Sequence, residues 1–325
     1  MSLIIGVDLG GTRLRAARLD HDLEVLEREE TLTMADEGFD ATFERIKTII
    51  QHRIREGEMI TGIGVSIPGP TNPFSGVVEL GTNLKGWENV PLMQLLGDHF
   101  HAPVYIGNDA NVAALAETVK GAAQNYRHVI FITVSTGIGG GIIVDGRLLL
   151  GKSGLGAEVG HMVIATEEGH ISTLEKESAG PSMARRARRL IEEGARSMIT
   201  DLVSGDLGKI SGKHIGQAAQ AGDKLALEIV QRSGRILGYG VTSLLHIFNP
   251  EIIVFGGGVS TLGDLLFNPM REAMEATVID NAYIRDLKIA RAALGDNVSL
   301  VGAGALVITH GGVEKISAIR AQLDA

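Results

Sequence analysis

Two short strands that each run into a glycine-rich turn constrain this chain more than any other feature. Residues 4–8 are an apolar run ending in Asp8-Leu9-Gly10-Gly11-Thr12, and Val129–Val134 leads into Ser135-Thr136-Gly137-Ile138-Gly139-Gly140-Gly141. After each turn the chain restarts as a strand. Residues 13–20 alternate polar and apolar (Arg13, Leu14, Arg15, Ala16), and 142–150 read as a strand broken by a turn at Asp145-Gly146. Strand, glycine turn, strand, met twice, is an internal repeat. Glycine supplies 43 of 325 residues, about 13%, near twice the usual share of about 7%. With eight prolines and no collagen period, those glycines are expected in turns and ligand loops.

The rest of the pattern fills in around the two turns. Residues 22–33 read as a strand, and 40–56 place Phe43, Ile46, Ile49, Ile50 and Ile54 at helical spacing. A strand over Ile60–Ile67 runs into Pro68-Gly69-Pro70, and another precedes Asn108. The first third therefore reads β-β-β-α-β-α-β-α. After the second glycine turn come helical stretches at about 178–194 and 222–247, then a buried-type strand at 252–255 ending in Gly256-Gly257-Gly258. The last helix is expected to begin near Gly302. No low-complexity linker separates the halves, so two lobes hinged at a helix near residues 110–120 are expected.

Charge and composition exclude several classes. A net charge of −9 argues against binding a nucleic-acid backbone. The absence of cysteine rules out disulfides, thiol catalysis and thiolate metal sites. The N-terminus carries no basic start and no long apolar run, so no signal peptide is read. The longest uncharged stretch, 129–144, contains Ser135, Thr136 and four glycines, which makes a poor membrane span. A soluble, cytoplasmic protein is expected.

Each chemical motif has a plainer alternative beside it. Asp8-Leu9-Gly10-Gly11-Thr12 can bring backbone N–H groups to phosphate oxygens, with Asp8 holding the accompanying Mg²⁺; it can equally be a hairpin turn. Because it feeds a strand rather than a helix, it is not a dinucleotide fingerprint. Ser135–Gly141 is the stronger motif, and the pair of turns could grip one polyphosphate. Gly256-Gly257-Gly258 suits an adenine and ribose lying flat on backbone, or a tight strand-to-helix turn. Asp109, between Asn108 and Asn111, can cap the helix it opens or accept a proton from a bound hydroxyl. Asn83-Leu84-Lys85-Gly86-Trp87 is a sugar-contacting loop or a surface turn. Glu158 and His161 suit sugar hydroxyls or a metal. Arg185, Arg186, Arg188 and Arg189 read as a solvated helix face.

Taken in order, these residues resemble the ROK group of sugar kinases within the actin-like/hexokinase ATPase superfamily. The likeness covers essentially the whole chain and is most specific in Leu155-Gly156-Ala157-Glu158-Val159-Gly160-His161 and the preceding residues 133–141. It implies an α/β, two-lobed actin-like (ribonuclease H-like) fold of duplicated β-β-β-α-β-α-β-α units with a ligand cleft between lobes. One lobe would comprise 1–118 plus about 302–325, the other 119–301. The resemblance makes Asp109 the catalytic base toward a sugar 6-hydroxyl. It places Asn83, Asn108, Asp109, Glu158, His161 and Glu175 on the sugar. Asp8, Gly10, Gly11, Thr12, Thr136, Gly137, Gly139, Gly257 and Gly258 fall on ATP, with Asp8 toward Mg²⁺. It further implies a homodimer or homotetramer.

One departure is large. The family carries C-x-C-G-x-x-G-C after its Glu-x-Gly-His, where this chain has Thr166, Glu168 and Thr173. Two threonines and a glutamate cannot replace three thiolates in a tetrahedral site, so no structural zinc is expected, and packing or hydrogen bonds must hold His161. His161, Glu168 and His170 remain as residues of metal-binding type. The expected activity is ATP- and Mg²⁺-dependent phosphorylation of a hexose, glucose first, with N-acetylmannosamine, N-acetylglucosamine, fructose and mannose as alternatives. A non-catalytic, sugar-responsive regulator is the rival from another class. Such regulators carry a DNA-binding domain before the first phosphate loop, and here the first strand begins at Leu3.

Overall fold

The computed structural model describes residues 3–166 and 169–316. The chain opens with the antiparallel strands β1 (Leu3–Leu9), β2 (Arg13–Leu19) and β3 (Val25–Leu32). Helix α1 (Phe39–Gln51) leads to β4 (Ile60–Ile67), parallel to β1 with Ile5 beside Ile63 and Val7 beside Val65. Then come a small antiparallel sheet of β5 (Thr71–Asn72), β6 (Val77–Leu80) and β7 (Glu88–Val90), and helix α2 (Leu92–Phe100). Strand β8 (Val104–Asn108), parallel to β4, runs directly into α3 (Asp109–Val119).

The order then repeats. β9 (Val129–Val134), β10 (Ile138–Val144) and β11 (Arg147–Leu148) are followed by the hairpin β12 (Val163–Ala165) and β13 (Ile171–Thr173). A run of helices comes next: α4 (Leu174–Ser178), α5 (Gly180–Glu192), α6 (Ile199–Leu202), α7 (Gly212–Gln220) and α8 (Lys224–Phe248). The chain closes with β14 (Ile252–Gly256), α9 (Asp264–Thr277), β15 (Lys288–Arg291) and α10 (Val298–Ile308). The first sheet has the order β3-β2-β1-β4-β8 and the second β11-β10-β9-β14-β15. Each sheet thus places its hairpin strands and its crossover strands in the same sequence, so the repeat seen in the residues is a repeat of topology.

Cα packing divides the chain into two compact units. Among the described residues, one comprises 3–131, 141–157 and 292–316; the other comprises 132–140, 158–166 and 169–291. In the first unit, α3 and α10 pack against each other, and α10 lies on β1 and β4. Both helices are apolar around most of their circumference, and both are buried around most of it, as a helix enclosed by other elements must be. In the second unit the long helix α8 is buried against α9. Gly234 and Gly238 let the two backbones meet: a Cβ on either would come within 2.4–2.5 Å of a carbonyl of Leu266 or Met270.

Three expectations need correction. Glycines are not confined to turns and ligand loops, because many serve close packing inside regular elements. A Cβ on Gly64 of β4 would lie 1.7 Å from the Ala303 carbonyl oxygen of α10, and one on Gly6 of β1 would lie 2.6 Å from that of Leu300. The last helix begins at Val298 rather than near Gly302, since Leu300 and Val301 are already on its buried face. Residues 135–141 are not a seven-residue loop: β10 starts at Ile138, so the turn is only Ser135-Thr136-Gly137. The small sheet β5–β6–β7 has no sequence signature, because strands of two to four residues carry no readable alternation.

Candidate functional site

The first glycine turn joins β1 to β2 through Gly10-Gly11-Thr12. The Gly10 N–H donates to the Arg13 carbonyl at 2.9 Å. Thr33, fully buried just after β3, holds the turn from behind. Its hydroxyl donates to the Gly10 carbonyl at 2.6 Å and its N–H to the Thr12 carbonyl at 2.9 Å. Asn83 packs on the same turn: a Cβ on Gly11 would stand 3.0 Å from the Asn83 Cβ. Asn83 sits exposed in the left-handed region (φ 63°), which asparagine tolerates better than most residues. Buried Leu84 and Trp87 anchor its loop, with the Trp87 ring edge-on to Phe39 at 5.2 Å.

Asp8 stands opposite Arg15 on the neighbouring strand. Its Oδ2 accepts from Arg15 Nε at 2.9 Å and Nη2 at 2.5 Å. Burial raises the Asp8 carboxyl above its ordinary value, against the Arg15 guanidinium and a Ser299 hydrogen bond, which lower it. Among the described residues no three His, Asp or Glu side chains gather where they could hold a metal ion by themselves. A lone carboxylate with one oxygen committed to arginine fits a Mg²⁺ ion held chiefly by phosphates and water, so Asp8 suits contact through water.

At the end of β8, Asn108 is the N-cap of α3: its Oδ1 accepts the Ala110 N–H at 3.0 Å and its Nδ2 donates to the Gly69 carbonyl at 3.2 Å. Asp109 Oδ1 also lies 2.8 Å from the Ala110 N–H, but the residue is at the first helical position and exposed. The Ala110 N–H at the start of α3 is thus shared between the Asn108 and Asp109 side chains.

In the second unit, the turn Ser135-Thr136-Gly137 is closed by the Ser135 N–H donating to Gly137 at 2.8 Å, and the Gly180 N–H donates to Ser135 at 2.9 Å. Gly139 falls inside β10 rather than in the turn. Ile138, the first residue of β10, gathers the candidate sugar contacts of this unit. Glu175 Oε2 accepts its N–H at 2.9 Å. Gly160, between Glu158 and His161, presses so closely that a Cβ would lie 2.0 Å from the Ile138 carbonyl oxygen. Glu158 precedes the single helical turn Val159–His161 and His161 ends it, and both are exposed.

Where the family carries cysteines, the β12–β13 hairpin is closed by hydrogen bonds. Thr166 Oγ1 lies 3.0 Å from His170 Nδ1, and the Thr166 N–H donates to the His170 carbonyl at 2.9 Å. Thr173 caps α4, and the Leu174 N–H ties the hairpin back to the Met162 carbonyl at 3.1 Å. Glu168 lies outside the described residues.

Gly257 (φ +84°) fits tightly: a Cβ would meet the Val134 carbonyl oxygen at 2.4 Å, so a structural turn explains this glycine. Gly258 instead faces open space and lines a cavity of about 640 Å³ with Ser135 and Thr136. That volume lies in the usual range for small-molecule sites. Arg185, Arg188 and Lys213 line it as well. So Arg185 and Arg188 do more than form a solvated face. Arg188 also donates to the carbonyls of Leu207 and Gly208 at 3.0 and 3.2 Å. Their signal was spacing: three residues apart, they share one helix face with Pro181 and Ala184.

The model of the ROK family matches residues 4–310. A glucokinase from Thermotoga maritima is 32% identical over 313 residues, covering 94% of this chain and 96% of that protein. A xylose repressor from Caldicellulosiruptor bescii is 30% identical over 94% of this chain but only 78% of its own length. A crystal structure of a ROK family glucokinase from Streptomyces griseus, in complex with glucose and AMPPNP, superposes with a TM-score of 0.75 at 30% identity, covering 94% of this chain and 99% of that one. The duplicated sheet order is accordingly that of the actin-like ATPase fold. The chain belongs to the ROK family.

Proposed function

We propose that the protein is an ATP-dependent hexose kinase that phosphorylates glucose on its 6-hydroxyl. Its class is that of a sugar phosphotransferase, in keeping with the ROK kinases it resembles along nearly its full length. Gly10, Gly11 and Thr12 in one unit, and Thr136, Gly137 and Gly139 in the other, bind the phosphates of ATP. Gly257 shapes the turn and Gly258 carries the adenosine, at the cavity lined by Ser135 and Thr136. Asn83, Asn108, Glu158, His161 and Glu175 orient the sugar. Bound with ATP, Mg²⁺ neutralises phosphate charge, and Asp8 is the residue that would hold it, through water.

Asp109 performs the proton chemistry. As the sugar oxygen attacks the γ-phosphorus, its carboxylate takes the hydroxyl proton, the bond to the β-phosphate oxygen breaks, and ADP leaves. Such transfers need positioning and charge stabilisation more than covalent help. The observation that carries this assignment is the exposed carboxylate of Asp109 at the first position of α3, beside the Asn108 N-cap. The reading puts the reaction in the cytoplasm, in a homodimer or homotetramer.

The test is ADP formation against a panel of glucose, mannose, fructose, N-acetylglucosamine and N-acetylmannosamine. Preferential turnover of glucose supports the full reading. Preference for another sugar keeps the mechanism and moves the substrate. Absence of turnover with every sugar, in folded protein that binds ATP, overturns it in favour of the regulatory role that the repressor relatives fill.

A further inference from the structure

Among the candidate sugar contacts, Glu175 has its carboxylate on the backbone of the second glycine turn. Oε2 accepts the Ile138 N–H at 2.9 Å and lies so flat over Gly137 that a Cβ there would come within 2.6 Å of it. Both partners have fixed backbones. The turn is held by Ser135 to Gly137 at 2.8 Å and Gly180 to Ser135 at 2.9 Å. The Glu175 carbonyl accepts from the Ser182 hydroxyl at 3.0 Å and from the Ala179 N–H at 3.1 Å. Only the Glu175 side chain, half-buried, can change its position without disturbing this frame.

A backbone N–H beside a glycine turn is a donor suited to a phosphate oxygen, and here an anion already uses it. A carboxylate and a phosphate cannot both accept this N–H, and at that separation two like charges repel. We propose that Glu175 is a sugar-operated occupant of the phosphate turn. Without sugar it sits on Ile138 and opposes the nucleotide's phosphates; sugar hydroxyls, which donate to a carboxylate, draw it off and free the turn. The proposal rests on the hexose-kinase reading for the sugar's place beside Glu175. Its consequence is that nucleotide binds well only after sugar, which limits wasteful hydrolysis of ATP. By linkage, nucleotide must strengthen sugar binding by the same factor.

The experiment is calorimetric titration with the magnesium complex of a non-hydrolysable ATP analogue, without and with glucose, on the wild-type chain, Glu175→Gln and Glu175→Asp. Gln removes the charge, and Asp is one methylene too short to reach Ile138. In the wild type, sugar should tighten nucleotide binding by a factor within the usual coupling range of about 5–150. Without sugar, both variants should bind the analogue at least about fivefold tighter than the wild type, with the sugar effect reduced accordingly. Sugar-free affinity equal to or weaker than wild type in both variants overturns the proposal. That comparison contains no sugar, so it remains readable if the wild type phosphorylates no hexose, which would defeat the kinase reading alone. Asp109-dependent turnover with unchanged sugar-free affinity in the variants would defeat only the role of Glu175.

Discussion

The carboxylate of Glu117, fully buried on α3, accepts the backbone N–H of Ala293 at 2.9 Å, joining residues 176 positions apart. The same carboxylate takes the N–H groups of Leu294 at 3.1 Å and Ala122 at 2.7 Å. It is thus a structural acceptor that ties the approach to α10 onto the helix that begins with Asp109. Glu117→Gln turns an amide nitrogen toward some of these donors. Each buried N–H left unpaired costs about 1–3 kcal/mol, so denaturant titration should show a loss of at least about 2 kcal/mol. An unchanged midpoint contradicts this role.

Gly64 and the Ala303 carbonyl leave no room for a methyl group, since the added Cβ would lie 1.7 Å from the oxygen. Overpacking typically costs about 1–3 kcal/mol and more where backbone must move. Gly64→Ala should therefore fall at or beyond the top of that range, with low soluble yield and a depressed melting temperature. A variant that melts with the wild type would show that α10 can shift away from β4 freely.

These two contacts explain what the sequence could and could not disclose. Strands β4 and β9 were readable to the residue, because their apolar runs end at Pro68 and at Ser135. Asp109 is readable as the opening of a helix, but the sharing of the Ala110 N–H with Asn108 is not, because that depends on how the two side chains turn. The packing glycines carry no mark that separates them from loop glycines: nothing near Gly64 announces Ala303. Glu175 was legible only as a sugar contact by resemblance, since its bond to Ile138 comes from the folding of α4 onto a distant turn. Arg185 and Arg188 looked like surface charge because the cavity they line is closed by residues far along the chain.

Thr33 supports the first glycine turn, which we propose binds the phosphates of ATP, without lying in it. Thr33→Val keeps the shape and the backbone bond to Thr12 while removing the hydroxyl from the Gly10 carbonyl. Loss of a hydrogen bond worth about 0.5–1.5 kcal/mol should appear mainly in how ATP is held. Steady-state kinetics should give a several-fold higher KM for ATP with KM for sugar little changed. Equal rises in both would argue for general loosening instead.

Arg18 grips Glu58 through two hydrogen bonds, at 2.6 and 2.7 Å. With the Arg55 backbone N–H, these hold the Glu58 carboxyl down at about 2, from an ordinary 4.5. A carboxyl lowered by folding stabilises the native state above its ordinary value, and that contribution disappears as pH falls toward the folded one. Between about pH 4.5 and pH 2, the wild type should therefore lose more stability than Glu58→Gln. Parallel acid-unfolding curves across that window would show that the pair is not coupled to folding.

The most direct test of the central claim is sugar-dependent ADP formation by Asp109→Asn beside the wild type, with sugar affinity measured on both. If Asp109 removes the hydroxyl proton, turnover should fall by at least the ~10²–10⁴-fold typical of losing a general base, while sugar still binds. A variant that retains substantial turnover would contradict the account.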